Sequence, residues 1–132
     1  MVIFPDGKEE LAKVLGMNFS RDVAMLALKE KGPWPSVKLA DGRPLKVGNF
    51  VLAMGHPEGF DPTRRAPVRF GRVLTFRERG FFVSDCTLLV GDSGGPIFDR
   101  RGHLIGIHSS ICLLYTSPSP RDATLSRMPS SA

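Results

Sequence analysis

Residues 91–96 of this 132-residue chain read GDSGGP and lie between two short apolar segments, one ending near Val90 and the other beginning near Pro96. A serine hydroxyl is a weak nucleophile, so it needs a neighbouring base and amide donors that receive the oxyanion formed on attack at a carbonyl. Glycines on both sides of Ser93 allow a sharp turn that brings such amides close to a substrate. The run therefore predicts a nucleophilic serine between two strands, with an ordinary flexible turn as the alternative.

The remainder of the sequence is typical of a sheet protein. Its apolar residues come in runs of about four to eight that are rich in Val, Ile, Leu and Phe, and turn residues separate the runs. Such a pattern, without a long helix, indicates a β-barrel or a β-sandwich. We predict turns at residues 5–7 and 99–102 and strands at residues 2–4, 8–16, 22–28, 49–54, 68–76, 80–84, 96–98 and 104–111.

Composition excludes several classes of protein. The 42% of apolar residues suffice for a core, and 14 glycines with 11 prolines stay below the level of low-complexity disorder. No apolar stretch is long enough to cross a bilayer, and the N-terminal residues do not resemble a signal peptide, so we expect no membrane span. The two cysteines, Cys86 and Cys112, have no metal-ligand spacing, and we expect neither a metal nor another cofactor. Cys86 is expected to be buried. The sequence does not decide whether it forms a disulfide with Cys112.

With these motifs in this order, the chain resembles the trypsin-like serine proteases of the chymotrypsin double-barrel fold, and within them the HtrA/Deg branch. GDSGGP is that family's nucleophile motif, and the resemblance extends over about residues 1–111. Further segments that look like family strands are SRDVAML at 20–26, VGNFVLAMGHP at 47–57, FGRVL at 70–74, VSD at 83–85 and LIGI at 104–107.

The resemblance implies an all-β fold, a trypsin-like double β-barrel. Residues 1–31 would form a partial N-terminal barrel, residues 32–48 the connector and the start of the second barrel, and residues 49–112 a complete C-terminal barrel with the nucleophile. Residues 113–132 hold five serines and three prolines without strand or helix periodicity, and they resemble translated sequencing-adapter DNA. We expect this tail to be disordered and non-native.

The same resemblance implies catalytic roles for three residues. Ser93 would be the nucleophile, and the backbone N–H groups of Gly91 and Ser93 would form the oxyanion hole. Asp22, directly before an apolar strand, would be the triad aspartate that orients a histidine and stabilises its protonated ring.

Substrate-binding residues also follow from the resemblance. Thr87, six residues before Ser93, would line the primary specificity pocket, with His108 and Ser109 on the opposing strand. No aspartate occupies the position of Thr87, so we expect a small or medium apolar substrate side chain rather than Lys or Arg. Asp92 stands where HtrA proteins usually have asparagine and matches the digestive branch, in which this acid receives a newly cleaved N-terminus. We infer no such activation.

The catalytic histidine departs from the family pattern. In the trypsin-like order the histidine precedes the aspartate, whereas His56, His103 and His108 all follow Asp22. His56 would suit the subtilisin order, but that fold is α/β, and the residue better matches an HtrA asparagine in its turn. His103 follows a hairpin glycine and is expected to be exposed. We therefore expect the catalytic histidine to be absent from this chain, which would be a fragment that starts downstream of it.

These expectations together predict a serine-type endopeptidase that acts through an acyl-enzyme, in a fragment that is nearly inactive alone. The alternative is a non-catalytic, protease-like module that binds peptides. Expected partners are protein or peptide substrates. By resemblance, the full-length protein would be periplasmic or otherwise extracytoplasmic and could form a homotrimer, although this chain shows no signal peptide.

A group of arginines suggests a different function, a nucleic-acid surface. Its members are Arg64, Arg65, Arg69, Arg72, Arg77 and Arg79. We instead expect most of them to lie in loops or in solvent, and no nucleic-acid partner. The alternation in this segment predicts one buried face made of Val68, Phe70, Leu74 and Phe76.

Overall fold

The computed structural model of the chain describes residues 1–111 and 124–127. Within these ranges the regular structure is ten β-strands and two short 3-10 helices, which confirms the all-β prediction. The chain divides into two compact units. The first comprises Met1–Ser36 with Pro62–Arg64, and the second comprises Val37–Asp61 with Arg65–Ala132.

The first unit consists of two antiparallel strand pairs. Strand β1 (Val2–Ile3) pairs with β2 (Glu9–Glu10), and β3 (Ala12–Asn18) pairs with β4 (Val23–Leu28). The 3-10 helix Phe19–Arg21 joins β3 to β4. The hairpin predicted at the turn of residues 5–7 is therefore present, and the predicted strand at residues 8–16 is divided into β2 and β3.

The predicted connector, residues 32–48, is divided between the two units, and its residues 32–36 lie in the first. These five residues contain neither helix nor strand, and Pro33 and Pro35 have no backbone N–H to donate. Trp34 stacks on Phe4 with ring centroids 5.0 Å apart, and Lys8 Nζ lies 4.5 Å from the Trp34 ring. This part of the connector is therefore packed against the first hairpin of the first unit.

The second unit contains a closed antiparallel barrel of six strands. The strands are β5 (Phe50–Met54), β6 (Val68–Arg77), β7 (Phe81–Ser84), β8 (Pro96–Asp99), β9 (Leu104–Ile111) and β10 (Thr124–Arg127). Their order around the barrel is β10-β7-β6-β5-β8-β9, and β9 also pairs with β10. The 3-10 helix Glu78–Gly80 lies between β6 and β7.

Strand β10 differs from the expectation that residues 113–132 contribute no packed element. Thr124–Arg127 pairs antiparallel with β7 on one side and with β9 on the other. The expectation is wrong at these four residues, because pairing of backbone groups on two sides does not require an apolar side-chain pattern. The other residues of that segment, together with Cys112, lie outside the described residues.

The barrel core is built from side chains that alternate along short strands. Residues i and i+2 of a strand face the same side of the sheet, and Val51 and Ala53 of β5 are both fully buried in this way. Cys86 is buried as predicted. The core cluster comprises Val51, Ala53, Val73, Phe82, Cys86, Leu88, Ile97 and Ile105.

The buried face of β6 is the opposite of the predicted one. Val73 and Gly71 are buried and Arg69 is half-buried, whereas the alternating apolar residues lie outside. A shift of one residue exchanges the two faces of a strand, and alternation alone does not say which face is inside. On the outer face Phe70 stacks on Phe50 at 4.9 Å. The exposed residues are Val68, Phe70, Leu74 and Phe76.

The predicted turn at residues 99–102 is confirmed as the β8–β9 hairpin. Gly102 adopts φ 79°, which favours glycine, and Asp99 Oδ1 accepts the backbone N–H groups of Arg101 and His103 at 2.8 and 2.9 Å. Partial burial raises the pKa of Asp99, but these hydrogen bonds and the Arg101 side chain outweigh it and lower the pKa overall. His103, expected to be exposed, is half-buried, with Nδ1 3.6 Å from Asp99 Oδ2.

Candidate active site

The nucleophile loop, defined here as residues 89–95, has the sharp backbone turns that its glycines predicted. Gly91 adopts φ 102° and Gly94 adopts φ 84°, a region that side chains disfavour. A Cβ atom at Gly91 would also lie 2.5 Å from the carbonyl oxygen of His56. Ser93, between the two glycines, is exposed.

Backbone donors in this loop fall into two groups. The N–H groups of Gly91 and Ser93, predicted to form the oxyanion hole, have no acceptor among the described residues. Three other donors of the turn are occupied: Asp92 donates to Leu89 at 3.1 Å, Gly94 to His108 at 2.8 Å and Gly95 to Asp92 at 2.9 Å. The N–H of Val90, like those of Gly91 and Ser93, has no acceptor among the described residues. The two donors on either side of Asp92 are thus available to an external acceptor.

Two neighbouring segments hold the loop in place. The N–H of Glu58 donates to Val90 at 2.8 Å, and the N–H of His108 on β9 donates to Gly95 at 2.8 Å. A Cβ atom at Gly95 would collide with the carbonyl oxygen of Met54, so the backbones pack directly against each other there. The loop is therefore fixed on both sides of Ser93.

Asp92 anchors the loop from the inside. Its side chain is 0% exposed, and Oδ2 accepts Arg69 Nη1 at 2.7 Å and the backbone N–H of Leu89 at 2.8 Å. Oδ1 has no hydrogen-bond partner among the described residues and faces Gly55, where a Cβ atom would overlap it. The arginine side chain is only 16% exposed. Arg69 was expected among the arginines that lie mostly in loops or in solvent, and the sequence pattern gave no sign of this ion pair.

His108 lies next to this ion pair. Its side chain is 3% exposed, and neither ring nitrogen has a hydrogen-bond partner within the described residues. The pKa of His108 is lowered to about 4, chiefly by burial; the carboxylate of Asp92 opposes this shift and the positive charge of Arg69 adds to it. The imidazole is therefore neutral at pH 7.

The other substrate-binding candidates are more accessible than His108. Thr87 is exposed and Ser109 is half-buried. Thr87 directly follows Cys86, whose thiol is fully buried and has its pKa raised by that burial. The predicted contacts of these residues with a substrate stay a prediction.

Asp22 and Ser93 belong to different units. Asp22 lies directly before β4, at the end of the 3-10 helix Phe19–Arg21, and adopts a left-handed conformation with φ 50°. Its backbone N–H donates to Phe19 at 3.2 Å, and the residue is exposed. Its assignment as the triad aspartate stays a prediction.

The three histidines occupy different surroundings. His56 is half-buried with its ring edge-on to Phe60 at 5.2 Å, His103 is on the β8–β9 hairpin, and His108 is buried. No hydrogen bond joins any of them to Ser93 within residues 1–111. In the same part of the chain no cluster of three potential metal ligands occurs, and neither of the two helices approaches the length needed to cross a bilayer.

Three bacterial relatives of the chain are each named "Probable periplasmic serine endoprotease DegP-like". The Pseudomonas putida F1 protein is 40% identical over 114 residues, which is 84% of this chain and 24% of the relative. The Marinomonas sp. MWYL1 protein is 38% identical over 109 residues (80% and 23%), and the Bartonella henselae protein is 34% identical over 113 residues (83% and 22%). The chain spans about a quarter of the length of these relatives.

The family described as "Trypsin-like peptidase domain" matches residues 1–107. This match includes both strand pairs of the first unit, the barrel strands from β5 to β8 and the whole nucleophile loop. From the fold, the GDSGGP turn and this match we conclude that the chain belongs to the trypsin-like peptidase family.

Proposed function

We propose that this chain is the nucleophile-bearing part of a serine-type endopeptidase. The observation that carries the proposal is the state of the nucleophile loop: Ser93 is exposed, and the N–H groups of Gly91 and Ser93 lack acceptors among the described residues. Hydrogen bonds from the N–H groups of Glu58 and His108, and the buried ion pair of Asp92 with Arg69, hold the rest of the loop. Such a pair of fixed amide donors beside a hydroxyl is what an acyl-transfer reaction requires.

The proposed reaction begins with attack of Ser93 Oγ on the carbonyl carbon of a peptide bond. The resulting oxyanion would accept hydrogen bonds from Gly91 and Ser93, and collapse would expel the amine and leave an acyl-serine that water then hydrolyses. Asp22 would orient the general base. Because all three histidines of this sequence follow Asp22 and none is bonded to Ser93, we propose that the base is a histidine outside residues 1–132.

The substrates and the compartment of the protein are part of the same proposal. Protein or peptide substrates fit an exposed nucleophile, and Thr87 and Ser109 would contact the side chain before the cleaved bond. His108 would support the nucleophile loop from the inside of the barrel rather than contact the substrate with its ring, because its imidazole is buried. The printed name of the relatives favours the periplasm, or another extracytoplasmic compartment, as the location.

Reaction with a biotinylated fluorophosphonate tests the proposal on the 132-residue chain. We expect slow labelling confined to Ser93, acceleration by added imidazole, which replaces the missing base, and no labelling of Ser93→Ala. The Ser36→Ala variant, at another exposed serine, serves as the matched control and should label like the unchanged chain. Circular dichroism should show the same fold for all three proteins.

The outcomes separate the competing interpretations. Rapid labelling without imidazole would contradict the assignment of the base to a residue outside this chain. A folded chain that does not label even with imidazole, but binds unstructured peptides, would identify the non-catalytic peptide-binding module instead.

A further inference from the structure

We propose that Arg69 is a positioning residue for the nucleophile loop, and that its ion pair with Asp92 holds the oxyanion-hole donors in place. The inference rests on the proposed role of Ser93. It concerns a different residue, on strand β6, which neither the motif nor the family match assigns to the site.

The position of Asp92 in the loop carries the argument. Asp92 lies between Gly91 and Ser93, whose N–H groups have no acceptor among the described residues. The N–H of Ser93 belongs to the peptide plane that follows Asp92, so its direction depends on the dihedral angles of Asp92. A change that turns the Asp92 side chain outward by altering its φ or ψ therefore also turns a donor.

The energetic cost of a buried, unpaired carboxylate makes Arg69 decisive for the inward orientation of the Asp92 side chain. A buried carboxylate without a charged partner is strongly unfavourable, and removal of one member of a buried ion pair leaves such a group behind. Asp92 Oδ2 has two donors, Arg69 Nη1 at 2.7 Å and the Leu89 N–H at 2.8 Å, but only the arginine carries a charge. Without Arg69, the carboxylate would gain solvation by rotating out to water.

The surroundings of the pair offer no substitute for Arg69. The neighbouring imidazole of His108 is neutral at pH 7, so it does not compensate the carboxylate. Gly55 faces Oδ1 with a bare Cα atom and contributes no donor there. Arg69 reaches the carboxylate across 23 residues of sequence from the inner face of β6.

Four variants of the full chain test the proposal: Arg69→Met, Arg69→Lys, Asp92→Asn and the double variant Arg69→Met with Asp92→Asn. Arg72→Met is the matched control, because Arg72 lies on the outer face of the same strand with its guanidinium 4.4 Å from the Phe50 ring. Two readouts are needed. The first is hydrogen exchange of the Leu89 and Gly94 amides, and the second is imidazole-assisted fluorophosphonate labelling of Ser93.

We expect Arg69→Met to speed exchange of the Leu89 amide and to slow labelling about tenfold or more. Arg69→Lys should recover part of both, and the double variant should approach the unchanged chain, because a neutral amide needs no charged partner. Urea unfolding of each variant checks that labelling is measured on folded protein, and Arg72→Met should change neither readout.

Several results would overturn the inference. Arg69→Met could label Ser93 at the unchanged rate, or the double variant could be as slow as Arg69→Met alone, which would show that the two residues are not coupled. If the unchanged chain does not label at all, the proposed function fails. In that case faster Leu89 exchange in Arg69→Met, reversed in the double variant, would still support the positioning of the loop.

Discussion

The backbone N–H of His108 donates to the carbonyl oxygen of Gly95 at 2.8 Å, and the N–H of Gly94 donates back to His108 at 2.8 Å. This reciprocal pair joins the end of the nucleophile loop to strand β9. It also brings a buried, neutral imidazole next to the Arg69–Asp92 ion pair. The stability of the loop is therefore linked to the protonation of one histidine.

The first prediction is a loss of stability between pH 6.5 and pH 4. In that interval the unfolded chain binds a proton at His108, with an ordinary pKa of 6.5, whereas the folded chain, with a pKa of about 4, does not. The free energy of unfolding should fall by up to about 3 kcal/mol as the pH is lowered, and the His108 contribution should level off below pH 4. Urea unfolding at several pH values measures it.

His108→Gln provides the control for this pH effect, because it keeps a polar side chain that does not titrate. Its stability should depend less on pH between 6.5 and 4 than that of the unchanged chain. An equal pH dependence in both proteins would contradict the assignment to His108.

A second prediction tests which face of β6 is buried. Val73→Ala should lower the free energy of unfolding by about 1–3 kcal/mol, because Val73 is 1% exposed in the core and its loss leaves a cavity. Leu74→Ala, at the next residue, should cost about 0.5 kcal/mol or less, because Leu74 is 44% exposed. Urea unfolding measures the free-energy loss in both variants. A larger loss in Leu74→Ala than in Val73→Ala would show that the face with Leu74 is the buried one.

The third prediction concerns Gly55. A Cβ atom there would overlap Asp92 Oδ1, so Gly55→Ala should destabilise the chain by about 1–3 kcal/mol and perturb the nucleophile loop. Gly16→Ala is the control, since a Cβ atom at Gly16 meets nothing within 4 Å and no left-handed conformation is needed. Thermal unfolding and the amide spectrum of the loop give the answer, and equal behaviour of the two variants would argue against the close contact.

The fourth prediction concerns the β8–β9 hairpin. Asp99→Ala removes the acceptor of the Arg101 and His103 N–H groups and should cost about 1–2 kcal/mol in urea unfolding. Asp41→Asn, which affects an exposed ion pair with Arg101, should cost clearly less than Asp99→Ala. The lowered pKa of Asp99 means that its contribution is present above the ordinary pKa of 3.8 and disappears as the pH falls through the lower folded-state value. Similar losses of unfolding free energy in the two variants would show that the hairpin does not depend on the hydrogen bonds to Asp99 Oδ1.

Most of the strands could be predicted from local residue types. Features that depend on partners distant in sequence could not. The turns at Gly7 and Gly102 follow from residue types that allow positive φ, and the strands between such turns are present. The inner face of β6 depends on the pairing of Arg69 with Asp92, which no pattern within the strand reveals. Strand β10 likewise depends on backbone pairing with β7 and β9.

The candidate site was predictable only in part. The GDSGGP motif located the loop and its exposed serine. Resemblance to a family suggested Asp22, Thr87 and Ser109. The inward orientation of Asp92 and the burial of His108 could not be predicted from the sequence, because both depend on packing between β6, β9 and the loop.

The glycine contacts between the nucleophile loop and its neighbours suggest how this scaffold could be diversified. Gly55, Gly91 and Gly95 each have too little room for a side chain, so random substitution there would disrupt the nucleophile loop before it changed the proposed substrate preference. Thr87 is exposed and Ser109 half-buried, so replacements there disturb less of the packing. A directed-evolution library that targets the proposed cleavage specificity should therefore randomise those two positions and leave the three glycines untouched.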